Sequence, residues 1–182
     1  MKRYALTAIG PHRPSTAASV TDVLHKHDCA IGDSNMMLLD NEFVITLILT
    51  LPKRKRLSTI RKDLDKLLGS TITVINIDEL PAATTHGESP LSDFIFTLHG
   101  KNRPGIVHLT CDLLYRLGVN IQSLESMVVH GEKSELYIVM LEGMTPEGST
   151  IKKIEPRLRA LARKLGMDPS VTPIGPANPG EP

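Results

Sequence analysis

Residues 100–121 read GKNRPGIVHLTCDLLYRLGVNI, and residues 10–31 read GPHRPSTAASVTDVLHKHDCAI. Both open on Gly-x-x-Arg-Pro. At one constant offset Gly10, Arg13, Pro14, Asp22, Leu24 and Ile31 meet Gly100, Arg103, Pro104, Asp112, Leu114 and Ile121. Either one small domain occurs twice, or common residue types coincide. Before each glycine lies a run of alternating apolar and polar residues, RYALTAI (3–9) and DFIFTLH (93–99), the pattern of a half-buried strand. Pro14 and Pro104 suit the first helical position, where the missing N–H removes no bond, which leaves Arg13 and Arg103 extended as N-caps. Ile106, Leu109, Leu113, Leu114 and Leu117 then form one helical stripe ended by Gly118. The first copy has a weaker stripe in Val20, Val23 and Leu24, with His27 where Leu117 sits.

A hairpin follows in each copy. IGDSNMMLL (31–39) and FVITLILTL (43–51) flank Asp40 and Asn41; NIQSLESMVV (120–129) and ELYIVML (135–141) flank a turn centred on Gly131. The second helix decides the question of repetition. Leu57, Ile60, Leu64 and Leu67 recur at spacings of three, four and three, and so do Ile151, Ile154, Leu158 and Leu161. Their offset is slightly larger, so the second copy carries a short insertion between its helices. Gly69 and Gly166 mark the helix ends, and TITVINI (71–77) and MDPSVTPI (167–174) supply the last strands.

The order is strand, helix, strand, strand, helix, strand, twice. This predicts an α+β chain of two ferredoxin-like βαββαβ domains, each a four-stranded antiparallel sheet with two helices on one face. The domains span 1–80 and 92–175, with a Pro-, Gly-, Ser- and Thr-rich linker at 81–91 and a flexible tail at 176–182. The uncovered sheet face needs a partner, from the other copy or another subunit.

Charge and composition exclude several function classes. The 21 basic and 20 acidic residues leave a net charge of +1, without the basic excess of a phosphate-neutralising nucleic-acid binder. Aromatics are 3%, and Tyr4, Phe43, Phe94, Phe96 and Tyr137 lie in predicted strands outside any aromatic-rich RNA-binding motif. The one basic cluster, KRKR (53–56), reads as the solvated first turn of a helix, although cations there oppose the macrodipole and leave room for an acidic partner. Two cysteines, Cys29 and Cys111, make no disulfide framework and read as small hydrophobes. His25-x-His27 diverges on a helix, no Cys-x-x-Cys occurs, and no nucleophile motif is present, so neither metal, cofactor nor catalysis is expected. No signal peptide or apolar run of membrane-spanning length is apparent, which predicts a cytoplasmic, non-enzymatic protein.

The Gly-x-x-Arg-Pro turn has a chemical use. Free N–H groups of Gly105, Ile106 and Val107 at a helix start suit an anion such as a carboxylate. Gly100 permits a tight turn, Gly105 permits close approach, and Asn102 and Asn120 supply donors and acceptors beside them. The same residues equally suit a strand-to-helix connection with nothing bound.

With its surrounding βαββαβ order, GKNRPGIVHLTCDLLYRLGVNI resembles the ACT domains, modules that commonly bind amino acids and regulate enzymes or transcription. A chain of two such domains is similar to the glycine cleavage system transcriptional repressor family, and GDSNMMLLDNEFVITLIL (32–49) is similar to that family's first hairpin. The resemblance implies a sensor of an amino acid or similar small carboxylate. Its ligand-binding residues would be Gly100, Asn102, Arg103, Gly105, Ile106 and Asn120. In the first copy His12, Arg13 and Ser15 are weaker candidates, since His12, Ser15 and Ala30 replace Asn102, Gly105 and Asn120. It further implies a homo-oligomer with domains paired side by side. Such a chain acts through a transcription factor or metabolic enzyme, with no direct nucleic-acid or membrane contact. The alternative is a regulatory subunit of an amino-acid or one-carbon enzyme. Formyltetrahydrofolate deformylases begin with a similar domain, and a piece of one without its catalytic half is expected to turn nothing over.

Overall fold

Six elements follow in each half of the chain, in the expected order. The computed structural model describes residues 2–68, 74–81, 91–131 and 135–174. The chain divides into two units, Met1–His86 and Gly87–Pro182. The first contains β1 (Lys2–Pro11), α1 (Thr16–Lys26), β2 (Ala30–Leu39), β3 (Glu42–Leu51), α2 (Leu57–Leu68) and β4 (Val74–Leu80). The second contains β5 (Phe94–Gly100), α3 (Ile106–Arg116), β6 (Asn120–His130), β7 (Glu135–Met144), α4 (Ile151–Leu165) and β8 (Met167–Pro173). Each makes one four-stranded antiparallel sheet, ordered β2-β3-β1-β4 and β6-β7-β5-β8.

Register puts the apolar residues of neighbouring strands on one face. Tyr4, Leu6 and Ala8 of β1 stand opposite Leu49, Leu47 and Ile45 of β3, and all six are buried. Val20, Val23 and Leu24 of α1 and Ile60 and Leu64 of α2 close over them. In the second unit Phe94, Phe96 and Leu98 play the part of the β1 residues, covered by Ile106, Leu114, Ile154 and Leu158. Both helices of each unit therefore lie on a single sheet face. The strand aromatics Tyr4, Phe43, Phe94 and Phe96 belong to these cores and Tyr137 packs against the second, so none forms a stacking platform for bases.

Three boundaries differ from the sequence reading. The helices start at Thr16 and Ile106, two residues beyond each proline, because Pro14 and Pro104 occupy turns rather than a first helical position. On α3 the buried line is Ile106, Thr110 and Leu114, while Leu109 is 37% exposed. Those three repeat every four residues, and Leu109 falls off their side. Strand β4 runs on to Leu80, opposite Arg3, three residues past the strand end at Ile77 predicted from the sequence pattern. At the other side of the second unit Asp93 is already anchored. Its carboxylate accepts the Thr145 N–H at 3.0 Å and the Thr145 hydroxyl, and its backbone bonds Gly143 and Ile174. Gly69, residues 71–73, most of the 81–91 linker, the core of the Gly131 turn and the 176–182 tail lie outside the described residues. So does the Leu67 side chain.

Helices α1 and α3 end alike with different residues. Cys29 N–H bonds the Leu24 carbonyl and Val119 N–H the Leu114 carbonyl, with Asp28 (φ 55°) and Gly118 (φ 72°) in the left-handed position that this closure requires. Just before it, His27 is 9% exposed and its Nε2 lies 2.7 Å from Asp63 Oδ2 on α2. A polar clip between helices thus replaces the apolar contact that Leu117 makes in the second unit. Asp63→Ala leaves a buried imidazole without its partner and is expected to cost about 1–3 kcal/mol in urea unfolding. His27→Leu combined with Asp63→Leu removes both polar groups and should fall within about 1 kcal/mol of the wild type. Equal losses in the two proteins would contradict this account.

Candidate functional site

The turn after β5 is shaped by two glycines with separate tasks. A Cβ on Gly100 would lie 2.8 Å from Met167 Sδ and 3.3 Å from the Gly166 carbonyl oxygen. Gly100 is thus demanded by the close approach of β8, with which it still pairs, rather than by the turn. Gly105 (φ 91°, ψ −7°) precedes α3 with the dihedrals of the third residue of a type II turn, where Pro104 is favoured just before it. Its surroundings are open, Leu109 Cδ1 being 3.9 Å from an added Cβ, so the backbone and not crowding demands glycine.

Ser15 (φ −90°, ψ −6°) has type I dihedrals instead, and Thr16 N–H closes that turn on the Arg13 carbonyl at 3.0 Å. The two types differ by a flip of the central peptide. The Gly105 N–H therefore points to the opposite side of its turn from the Ser15 N–H. The first-unit turn is further committed, because His12 N–H bonds the Asn41 carbonyl at 2.9 Å. His12, Arg13 and Ser15 are all exposed.

A cavity of about 530 Å³ opens beside the second-unit turn, lined by Gly100, Lys101, Asn102, Glu135 and Leu136. The β5–β7 pairing creates it, bringing the start of β7 to the end of β5. Lys101 sits within the motif, although the sequence reading did not single it out. Glu135 and Leu136 carry no local signal, since only strand register brings them to the turn. The Glu135 carboxylate lies 3.2 Å from His130 Nδ1 at the mouth of the hairpin. No acidic side chain occupies the first turn of α3, whose N–H groups remain available to an anion.

The other expected residues are placed differently. Ile106 is 1% exposed in the core, so only its backbone N–H can face a ligand. The Arg103 guanidinium lies over the C-terminal end of α4: a Cβ on Gly166 would be 3.6 Å from one of its nitrogens. Carbonyls at a helix end attract a cation there. Asn120 is not beside the turn, contrary to the sequence reading. It pairs with Met144 at the far end of β7, whereas Gly100 pairs with Tyr137. At about 3.4 Å per residue the two ends stand more than about 20 Å apart. A spacing along the chain conceals this, because α3 runs back down the sheet before β6 begins.

Among the described residues no group of three His, Cys, Asp or Glu converges. Cys29 is partly buried against the first core, and burial pushes its thiol above the usual range. Among the described residues no helix is long and apolar enough to cross a membrane.

Residues 4–72 match the family model of the ACT domain. The match lies within the first unit, which is thus similar to an ACT domain. The second repeats its βαββαβ order and strand topology element for element. Two solved structures share the fold over nearly the whole chain. One is a protein of unknown function from Galdieria sulphuraria, at TM-score 0.74 and 16% identity, covering 96% of this chain and 99% of that one. The other is a candidate glycine cleavage system transcriptional repressor, at TM-score 0.69 and 14% identity, covering 96% and 98%. No curated protein matches the chain in sequence. At these identities the likeness establishes a common fold of two βαββαβ units.

The turn geometry makes the two copies respond differently to substitution. Gly105→Ala forces an L-residue into the left-handed region and should cost about 1–2 kcal/mol in urea unfolding. Ser15→Ala, at an exposed position without a side-chain cap bond, should change stability by no more than about 0.5 kcal/mol. A Gly105→Ala protein as stable as the wild type would rule out the type II assignment.

Proposed function

We propose that this chain is a non-enzymatic regulatory protein that binds an amino acid, or a similar small carboxylate, at the turn after β5. It transmits occupancy through a protein partner. One observation carries the reading: the cavity beside that turn sets Lys101 and Asn102 against Glu135, opposite charges on a shared wall. A zwitterion needs that pairing, an ammonium and amide for its carboxylate and a carboxylate for its amino group. The unoccupied first-turn N–H groups of α3 add donors for the carboxylate.

The ACT-domain match in the first unit, the repeat of its topology in the second and the fold shared with a candidate transcriptional repressor support the regulatory reading. The partner is a transcription factor or a metabolic enzyme. Asn120 is remote from the turn within its own unit, so it serves a ligand only at the turn of another copy of the chain, which makes the working form a homo-oligomer. The first unit, with a flipped turn peptide and His12 in place of Asn102, acts chiefly through packing.

A thermal-shift screen of the amino acids tests the proposal, since a ligand at about 100 times its dissociation constant adds about 2.7 kcal/mol of stability. For the amino acid found, Asn102→Ala should weaken binding by about 0.5–1.5 kcal/mol and Lys101→Ala by about 1.5–3 kcal/mol in a calorimetric titration. His12→Ala should leave it unchanged. Loss of binding in His12→Ala with Asn102→Ala and Lys101→Ala unaffected would move the site to the first unit.

A further inference from the structure

The KRKR run does not form the first turn of α2, as its sequence suggested. Residues 53–56 are the connection between β3 and α2, and they wall a cavity of about 730 Å³. This lies in the first unit and shares no residue with the carboxylate site. Lys2, Lys53, Lys55 and Arg56 surround it, Ser58 from the first turn of α2 closes one side, and Tyr4 lies among its lining residues.

Two of the cations are already answered. Lys2 meets Glu79 at 2.8 Å and Lys55 meets Asp28 at 3.3 Å. Among the described residues Lys53 and Arg56 meet no carboxylate. The first turn of α2 contains no acidic residue either, so the positive end of that helix adds to the same field. Like charges gathered at a helix N-terminus are unfavourable while nothing negative is bound.

Tyr4 supplies the independent sign of a ligand. The residue is 5% exposed and lines the cavity, and its hydroxyl takes part in none of the side-chain hydrogen bonds among the described residues. Among those residues no fully buried side-chain nitrogen or oxygen is left without a partner. The Tyr4 hydroxyl therefore keeps a solvent-facing edge, and the cavity that Tyr4 lines is where it opens. A donor that shares a cavity with a helix N-terminus and with two cations meeting no carboxylate among the described residues is suited to an anion.

We propose that this cavity binds a small phosphate-bearing anion. Lys53 and Arg56, which meet no carboxylate among the described residues, match the roughly −2 charge of a phosphate monoester near neutrality. The Arg56 guanidinium can engage two phosphate oxygens at once, and the Ser58 hydroxyl, the first-turn N–H groups and the Tyr4 hydroxyl donate to the rest. The volume falls in the range of small-molecule sites. A nucleic-acid strand fits less well. The chain's net charge is +1, and Tyr4, the aromatic at this cavity, is buried rather than displayed for stacking.

Calorimetric titration of the full chain with inorganic pyrophosphate and, separately, with ATP tests this. Both should bind. Equal affinities would assign recognition to the phosphoryl groups alone, and tighter ATP binding would add the apolar lining residues Leu51, Pro52 and Leu57. Lys53→Ala combined with Arg56→Ala should weaken binding about tenfold or more, and Tyr4→Phe by about 2- to 10-fold with little change in melting temperature. If the double variant fails to fold, Lys53→Glu at an exposed position gives the same readout. The proposal is overturned if neither compound binds, or if both bind the Lys53 and Arg56 variants as they bind the wild type. It is equally overturned if a single-stranded oligonucleotide binds in a Lys53- and Arg56-dependent way while pyrophosphate and ATP do not.

Discussion

Each unit hangs on an internal strand that is hydrogen-bonded along both edges. Strand β1 lies between β3 and β4, and β5 lies between β7 and β8. A chain leaving such a strand has no free edge to fold back along, so it must quit the sheet at the strand end and return as a helix. That exit delivers a helix N-terminus, with its unpaired N–H groups, to the rim of the sheet. The turn after β5 is one such exit. The connection after β3, itself flanked by β1 and β2, is another. Both candidate sites stand where an internal strand gives way to a helix.

The same backbone is reached in the two units with different side-chain chemistry. An aspartate in one unit and a glycine in the other hold the left-handed residue that closes the first helix. Asp accepts that conformation at modest cost, and Gly at none. Ser15 and Gly105 cannot exchange so freely, because one turn is type I and the other type II. The His27–Asp63 clip and the Leu117 contact are likewise two ways of joining a first helix to its surroundings. Local closure tolerates such alternatives, and the direction of an N–H group at a turn does not.

A net charge of +1 conceals how the charges are distributed. At the β3–α2 connection cations outnumber the carboxylates that answer them, while the cavity after β5 holds a lysine and a glutamate together. Arg103, the most prominent cation of the repeated motif, has its guanidinium over the end of α4.

How much of this was legible in the sequence follows the range of each interaction. Strand alternation in 3–9 and 93–99, the recurring helix spacing from Leu57 and from Ile151, and the glycines after α3 and α4 depend on neighbours a few residues away. Those patterns by themselves determined two βαββαβ units and most of their cores. The helix starts were misplaced because a proline suits a turn as well as a first helical position, and only the dihedrals of Ser15 and Gly105 distinguish the two. Leu109 and Thr110 changed places because the rotation of α3 is set by what it packs upon. Asn120 looked close to Asn102 in sequence and lies at the opposite end of the sheet, while Glu135, distant in sequence, borders the turn. Strand register decided both, and register is a contact between segments that no local pattern encodes. The tertiary structure alone therefore decided which residues share a cavity, since a binding site is assembled across strands whereas the elements that carry it are specified along the chain.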